Sequence, residues 1–173
     1  WKLHDIGAQV QGAAEAIGLG RAADLLTVHA EPQVMRAAVA GRGAADTRIL
    51  GVTVMTSLSD AELEEMGYRF AAAQLVERRV RQALDCGVDG VVASPLEAAR
   101  VREIADAAGR DDFLIVTPGI RPAGSSSDDQ QRMGTPSGAL KAGATHLVVG
   151  RPITAAPDPK AAAQAILAEM AAA

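Results

Sequence analysis

Five short apolar runs recur along the chain, each followed by a turn signal and then a helical pattern: Leu25 to His29, Ile49 to Thr56, Gly90 to Ser94, Phe113 to Thr117 and His146 to Val149. A chain that alternates strand and helix in this way must pair its strands in parallel, because each helix carries the backbone back across the sheet. Three of the runs are entered by similar words, Ala23-Asp24-Leu25-Leu26, Val88-Asp89-Gly90-Val91-Val92 and Thr145-His146-Leu147-Val148-Val149. The repeated unit is therefore a parallel-strand crossover. Trp1 to Ile6 reads as the end of a further strand, which makes six.

Helix boundaries are marked by residue type. Ser59 with Glu62 forms a capping box, Ser94-Pro95-Leu96-Glu97 sets a proline at a first helical position, and Thr135-Pro136 reads the same way. Helices stop at Gly67, Gly87, Gly109 and Gly143, residues free to take positive φ. Val76, Val80 and Leu84, spaced by four, give one apolar face, and Pro159 to Met170 is the last helix. Gly119 to Gly134 breaks the rhythm with Gly, Pro, Ser, Asp and Gln, as a long loop of the kind that clamps ligands.

Composition narrows the class. The 173 residues are 49% hydrophobic and 22% charged, as expected of one α/β domain, and aromatics are only 2%, so the core is built from Ala, Val, Leu and Ile. A net charge of −4, with Trp1, Tyr68, Phe70 and Phe113 as the only aromatics, argues against nucleic acid as a partner. Cys86 stands alone, which rules out a disulfide framework and points to a reducing, cytoplasmic setting. No apolar stretch reaches a membrane span, and the first residues are not a signal peptide. Without an initiator Met, the sequence is expected to begin inside a longer gene product.

Six strands are too few for a closed barrel of eight, and an open doubly wound sheet would suit the count. Against the open sheet, there is no Gly-rich turn after a first strand; Gly18-Leu19-Gly20 and Gly41-Arg42-Gly43 follow helices.

Three motifs carry chemistry. Lys2, His4 and Asp5 cluster at the end of the opening strand. Thr117-Pro118-Gly119-Ile120-Arg121-Pro122 is followed by Asp129-Gln130-Gln131-Arg132, and Val149-Gly150-Arg151-Pro152-Ile153 closes the series. Arginine presents a planar fork of donors that matches phosphate, and backbone N–H groups at a glycine near a helix start can reach the same oxygens. His29 and His146 lie on strands without ligand partners at useful spacing, and His4 is assigned to structure rather than catalysis.

In order and spacing these motifs resemble the orotidine 5'-phosphate decarboxylases over essentially the whole chain. Lys2-Leu3-His4-Asp5-Ile6 is similar to that family's third-strand motif, Asp-x-Lys-x-x-Asp, read from its second position onward. Val54-Met55-Thr56-Ser57 matches the end of its fifth strand. The resemblance implies a (β/α)8 TIM-type barrel of which residues 1–173 supply strands 3 to 8, as one N-terminally incomplete domain. It implies decarboxylation of orotidine 5'-phosphate to uridine 5'-phosphate without metal or organic cofactor, by a cytoplasmic homodimer.

The same resemblance assigns roles. Lys2 would be the proton donor, and Asp5 belongs to an alternating row of carboxylates and ammoniums, contributed across the dimer interface. Arg121, Gly150 and Arg151 would bind phosphate, Gln130 would bridge phosphate or pyrimidine, Thr56 and Pro118 would line the base, and Ser57 would also be substrate-binding. Three departures accompany it. The motif's first carboxylate would precede Trp1, the first two strands with a further Asp and Lys are not in the sequence, and Gly7-Ala8-Gln9 stand where many relatives read Pro-Asn-Thr. The chain alone is therefore expected to be inactive. Two rival readings remain at this stage: a noncatalytic phosphate-binding remnant, and a magnesium-dependent sugar-phosphate decarboxylase or synthase of the same barrel superfamily.

Overall fold

A computed structural model describes residues 1–122 and 132–173. In chain order the elements are β1 (Lys2–Leu3), α1 (Gly7–Leu19), β2 (Leu25–His29), α2 (Pro32–Arg42), β3 (Arg48–Val52), α3 (Asp60–Glu65), α4 (Ala72–Asp85), β4 (Gly90–Val92), α5 (Ala98–Ala107), β5 (Leu114–Thr117), α6 (Pro136–Lys141), β6 (His146–Leu147), α7 (Arg151–Thr154) and α8 (Pro159–Ala171). The six strands form one sheet in sequential order, and every pairing is parallel. Sequential parallel order has no reversal point, which separates it from the doubly wound alternative.

Side chains alternate across the sheet, so its two faces carry different clusters. Leu26, Val28, Ile49, Val91, Phe113 and Ile115 join Val10, Met35, Val76, Val80 and Val101 of the helices in the main core. Leu50, Leu114 and Val116, with Val92 against them, make a separate apolar cluster. A sheet buried on both faces is the arrangement that continuous apolar strands such as Leu114-Ile115-Val116 require.

The repeated strand-entry words have a structural purpose. Asp89 Oδ2 accepts the Ile49 N–H at 2.7 Å, and Thr145 Oγ1 accepts the Ile115 N–H at 2.9 Å, so the second and third words each satisfy the backbone at the start of the preceding strand. Asp89 also pairs with Arg42 at 2.6 Å and thereby ties α2 to the sheet. Helices α1 and α2 cross so closely that a Cβ on Gly41 would come within 2.1 Å of the Gln11 carbonyl.

Most boundaries match the sequence reading. Ser59 and Glu62 form the reciprocal capping box, Thr135 caps α6 with Pro136 in its first turn, and Gly67, Gly87, Gly109 and Gly143 all have positive φ. Two differ. Helix α5 begins at Ala98 rather than at Pro95, because the Glu97 carboxylate turns back to the Ser94 N–H (3.1 Å) and hydroxyl, holding a separate turn ahead of the helix. Strand β3 ends at Val52 rather than Thr56: Thr53 still donates to the Val92 carbonyl at 3.1 Å, but the Val54 carbonyl takes a side-chain donor instead of a strand partner. No helix of the described residues is long and apolar enough to cross a membrane.

Candidate active site

Parallel strands deliver all their C-terminal ends to one edge of the sheet, and those residues singled out from the sequence that the structure describes lie there. Lys2 is on β1, in register with Thr27, and its side chain is exposed. The Thr27 hydroxyl donates to the Trp1 carbonyl and fixes the chain at that point. Asp5 follows the strand and accepts the Ile6 N–H at 2.7 Å, which bends the backbone into α1.

Thr56 is buried and Ser57 exposed in the turn after β3. Pro118 is half-buried at the end of β5, and Gly119 has φ of 78°, a conformation that glycine adopts without steric cost. Residues 123–131, most of the segment expected as a long loop, lie outside the described residues. The described residues on either side are tied together: Ile120 and Gly134 form a parallel bridge, with Arg121 N–H to the Gly134 carbonyl at 2.9 Å and Gly134 N–H to the Gly119 carbonyl at 3.2 Å. Ile120 is fully buried with Ala139 and Ala144, so the base of a loop that reads as polar is held by an apolar anchor. Arg121 Nη1 donates to the Ile120 carbonyl at 2.9 Å. Gln130 lies outside the described residues. Gly150 and exposed Arg151 lead into α7, where the Gly150 carbonyl accepts from Ile153 and Thr154.

Two groups at this edge were not singled out as site residues from the sequence. Arg132 donates to Glu97 Oε1 at 2.8 Å, to the Met55 carbonyl at 2.9 Å and to the Val54 carbonyl at 3.3 Å. It thereby fixes the return of the long loop to the turn that carries Thr56 and Ser57. The other group corrects the reading of the histidines: His29 does have partners. The His4 and His29 rings stack with centroids 4.2 Å apart, and Glu31 completes a set whose ligand atoms lie within 4.8 Å of one another. Burial and the nearby His4 lower the His29 pKa from its ordinary value. The spacing of 25 residues between His4 and His29 hides the pairing, which the parallel register of β1 and β2 creates.

Comparison with known proteins extends this picture. The family described as orotidine 5'-phosphate decarboxylase / HUMPS matches residues 1–166. Orotidine 5'-phosphate decarboxylase of Caulobacter vibrioides is 64% identical over 171 residues, covering 99% of this chain and 73% of that protein. The chain belongs to the orotidine 5'-phosphate decarboxylase family. The enzyme of Rhodopseudomonas palustris strain BisB5 is 56% identical, across 98% of this chain and 70% of its own length. Among solved structures, the orotidine 5'-phosphate decarboxylase of Lactobacillus acidophilus superposes with a TM-score of 0.78 at 40% identity, over 98% of this chain and 72% of that one. Family and relatives together give the activity, a lyase of UMP biosynthesis acting on orotidine 5'-phosphate, on the α/β barrel-type fold of which this chain supplies six parallel strands.

Proposed function

We propose that Lys2 is the proton donor of this decarboxylation and that Arg121, Gly150 and Arg151, with Gln130, hold the substrate phosphate. The observation that supports the reading is the common placement of Lys2, Asp5, Thr56, Pro118, Arg121 and Arg151 at or just beyond strand C-termini on one edge of a parallel sheet. The bond between the pyrimidine ring and its carboxylate breaks with the electron pair left on the ring carbon, and carbon dioxide departs. The Lys2 ammonium stabilises the developing carbanion and then transfers a proton to it, and the resulting amine recovers its proton from solvent.

Asp5 is the carboxylate that orients the Lys2 ammonium and acts across a homodimer interface. Thr56, Ser57 and Pro118 line the pyrimidine end. Phosphate contacts far from the reacting carbon contribute to turnover because binding energy gained at the phosphate is converted into orientation at the reacting carbon. The lone Cys86, buried and with its thiol pKa raised by burial, suits a reducing cytoplasm.

The test is ultraviolet monitoring of orotidine 5'-phosphate loss by the chain extended through the length of its relatives, with and without a chelator. Lys2→Ala should abolish turnover while retaining binding of uridine 5'-phosphate. Arg151→Ala should raise KM and also lower kcat. Full activity in Lys2→Ala would remove the lysine from the chemistry; an Arg151→Ala effect confined to substrates without phosphate would remove the arginine from the phosphate site.

A further inference from the structure

The geometry points to a binding site for a divalent transition-metal ion at His4, His29 and Glu31, separate from the groups assigned to decarboxylation. Two imidazoles and one carboxylate converge from the ends of β1 and β2 and the start of α2, with all ligand atoms within 4.8 Å. His4 Nε2 lies 3.3 Å from Glu31 Oε2, which is buried and accepts no hydrogen bond among the described residues. Donors about 2.1 Å from one ion lie roughly 3.4 Å from each other in a tetrahedral site, so small side-chain rotations close the set.

The surroundings of Glu31 divide its two oxygens. Oε1 is taken by Arg79 Nη2 at 3.4 Å, and Arg79 is itself held by the Thr53 carbonyl and the Tyr68 hydroxyl. Oε2 is left facing the histidines. An outer partner that fixes one carboxylate oxygen while the other remains available is the arrangement that orients a metal ligand. Beside the cluster a cavity of about 250 Å³, lined by Met55, Tyr68 and Arg79 among others, leaves room for water to complete the coordination. The donor set selects the ion: imidazole nitrogens suit zinc, cobalt or nickel, whereas magnesium and calcium require oxygens.

His4 lies between Lys2 and Asp5, so a bound ion would fasten the segment bearing both to the β2–α2 junction. That consequence rests on the roles proposed for Lys2 and Asp5; the binding of the ion does not. The experiment uses the untagged, metal-free chain, titrated with cobalt(II) by visible absorption and with zinc by calorimetry, with folding checked by circular dichroism. One ion per chain is expected, weakened at least about tenfold in His4→Ala and Glu31→Gln and unchanged in His146→Ala. A large excess of magnesium should not compete. Absence of binding, survival of binding in His4→Ala with His29→Ala, or equal weakening by His146→Ala would overturn the site, whatever the outcome of the Lys2→Ala assay.

Discussion

Arg132 shows how much of the site depends on single side chains that bridge distant parts of the chain. Its guanidinium joins Glu97 to the Val54 and Met55 carbonyls, and both members of the ion pair are about nine-tenths buried, with side-chain exposures of 11% and 10%. Removing the arginine would leave the buried Glu97 carboxylate without its counter-charge, held only by Ser94, and the Val54 carbonyl without its side-chain donor, while the Met55 carbonyl would keep the Leu58 N–H. Arg132→Ala is therefore expected to destabilise the fold by about 3 to 5 kcal/mol in urea unfolding, the range for breaking a buried pair. Replacing both partners, Arg132→Met with Glu97→Leu, should recover much of that loss; an additive double variant would show that the pair itself is not the source. The sequence displays Arg132 beside Gln130 but cannot display its partners, which are 35 and 77 or more residues away. Lys2 and Arg151 were legible for the opposite reason: each belongs to a compact local motif.

At the scale of the element, the capping box of α3 offers a pH test. Ser59 accepts the Glu62 N–H through its hydroxyl at 3.3 Å, and the Glu62 carboxylate accepts the Ser59 N–H at 2.8 Å and its hydroxyl. These bonds hold the Glu62 pKa below its ordinary 4.5. The folded state therefore binds fewer protons than the unfolded state through this window. The contribution of the box is complete above about pH 4.5 and is lost as pH falls through the lowered folded value. Ser59→Ala should lower Tm at pH 7 and have a progressively smaller effect as the pH is taken below 4.5; a difference independent of pH would show that Glu62 plays no part. Caps of this kind, and the positive-φ glycines that end helices, were legible because their partners lie within a turn. Strand ends were not, since β3 stops where side chains from remote segments replace strand partners, Arg79 on the Thr53 carbonyl and Arg132 on the Val54 carbonyl.

Across the whole molecule, the parallel alternation fixed the sheet from sequence, but the distribution of burial over it comes only from assembly. Central strands β3, β4 and β5 are paired on both sides and buried on both faces, by the main core on one and the Leu50–Leu114–Val116 cluster on the other. Strands β1 and β6 are two residues long and end the sheet order, and α8 buries a single residue, Ile166. Opening free energies should follow this gradient, because amides exchange through local openings wherever few apolar contacts resist them. Native-state hydrogen exchange is thus expected to be slowest at Ile49, Leu50, Val91 and Ile115 and fastest in β1, β6 and α8. Phe113→Ala, which empties a fully buried position beside β5, should cost about 3 to 5 kcal/mol and speed exchange in all three central strands together. Acceleration confined to β5 would mean that the sheet does not unfold as one unit. The metal proposal makes the same gradient adjustable at one edge: zinc on His4 and His29 should slow exchange in β1 and at the end of β2 while leaving β6 as it was, and uniform slowing of both edges would indicate general stabilisation instead.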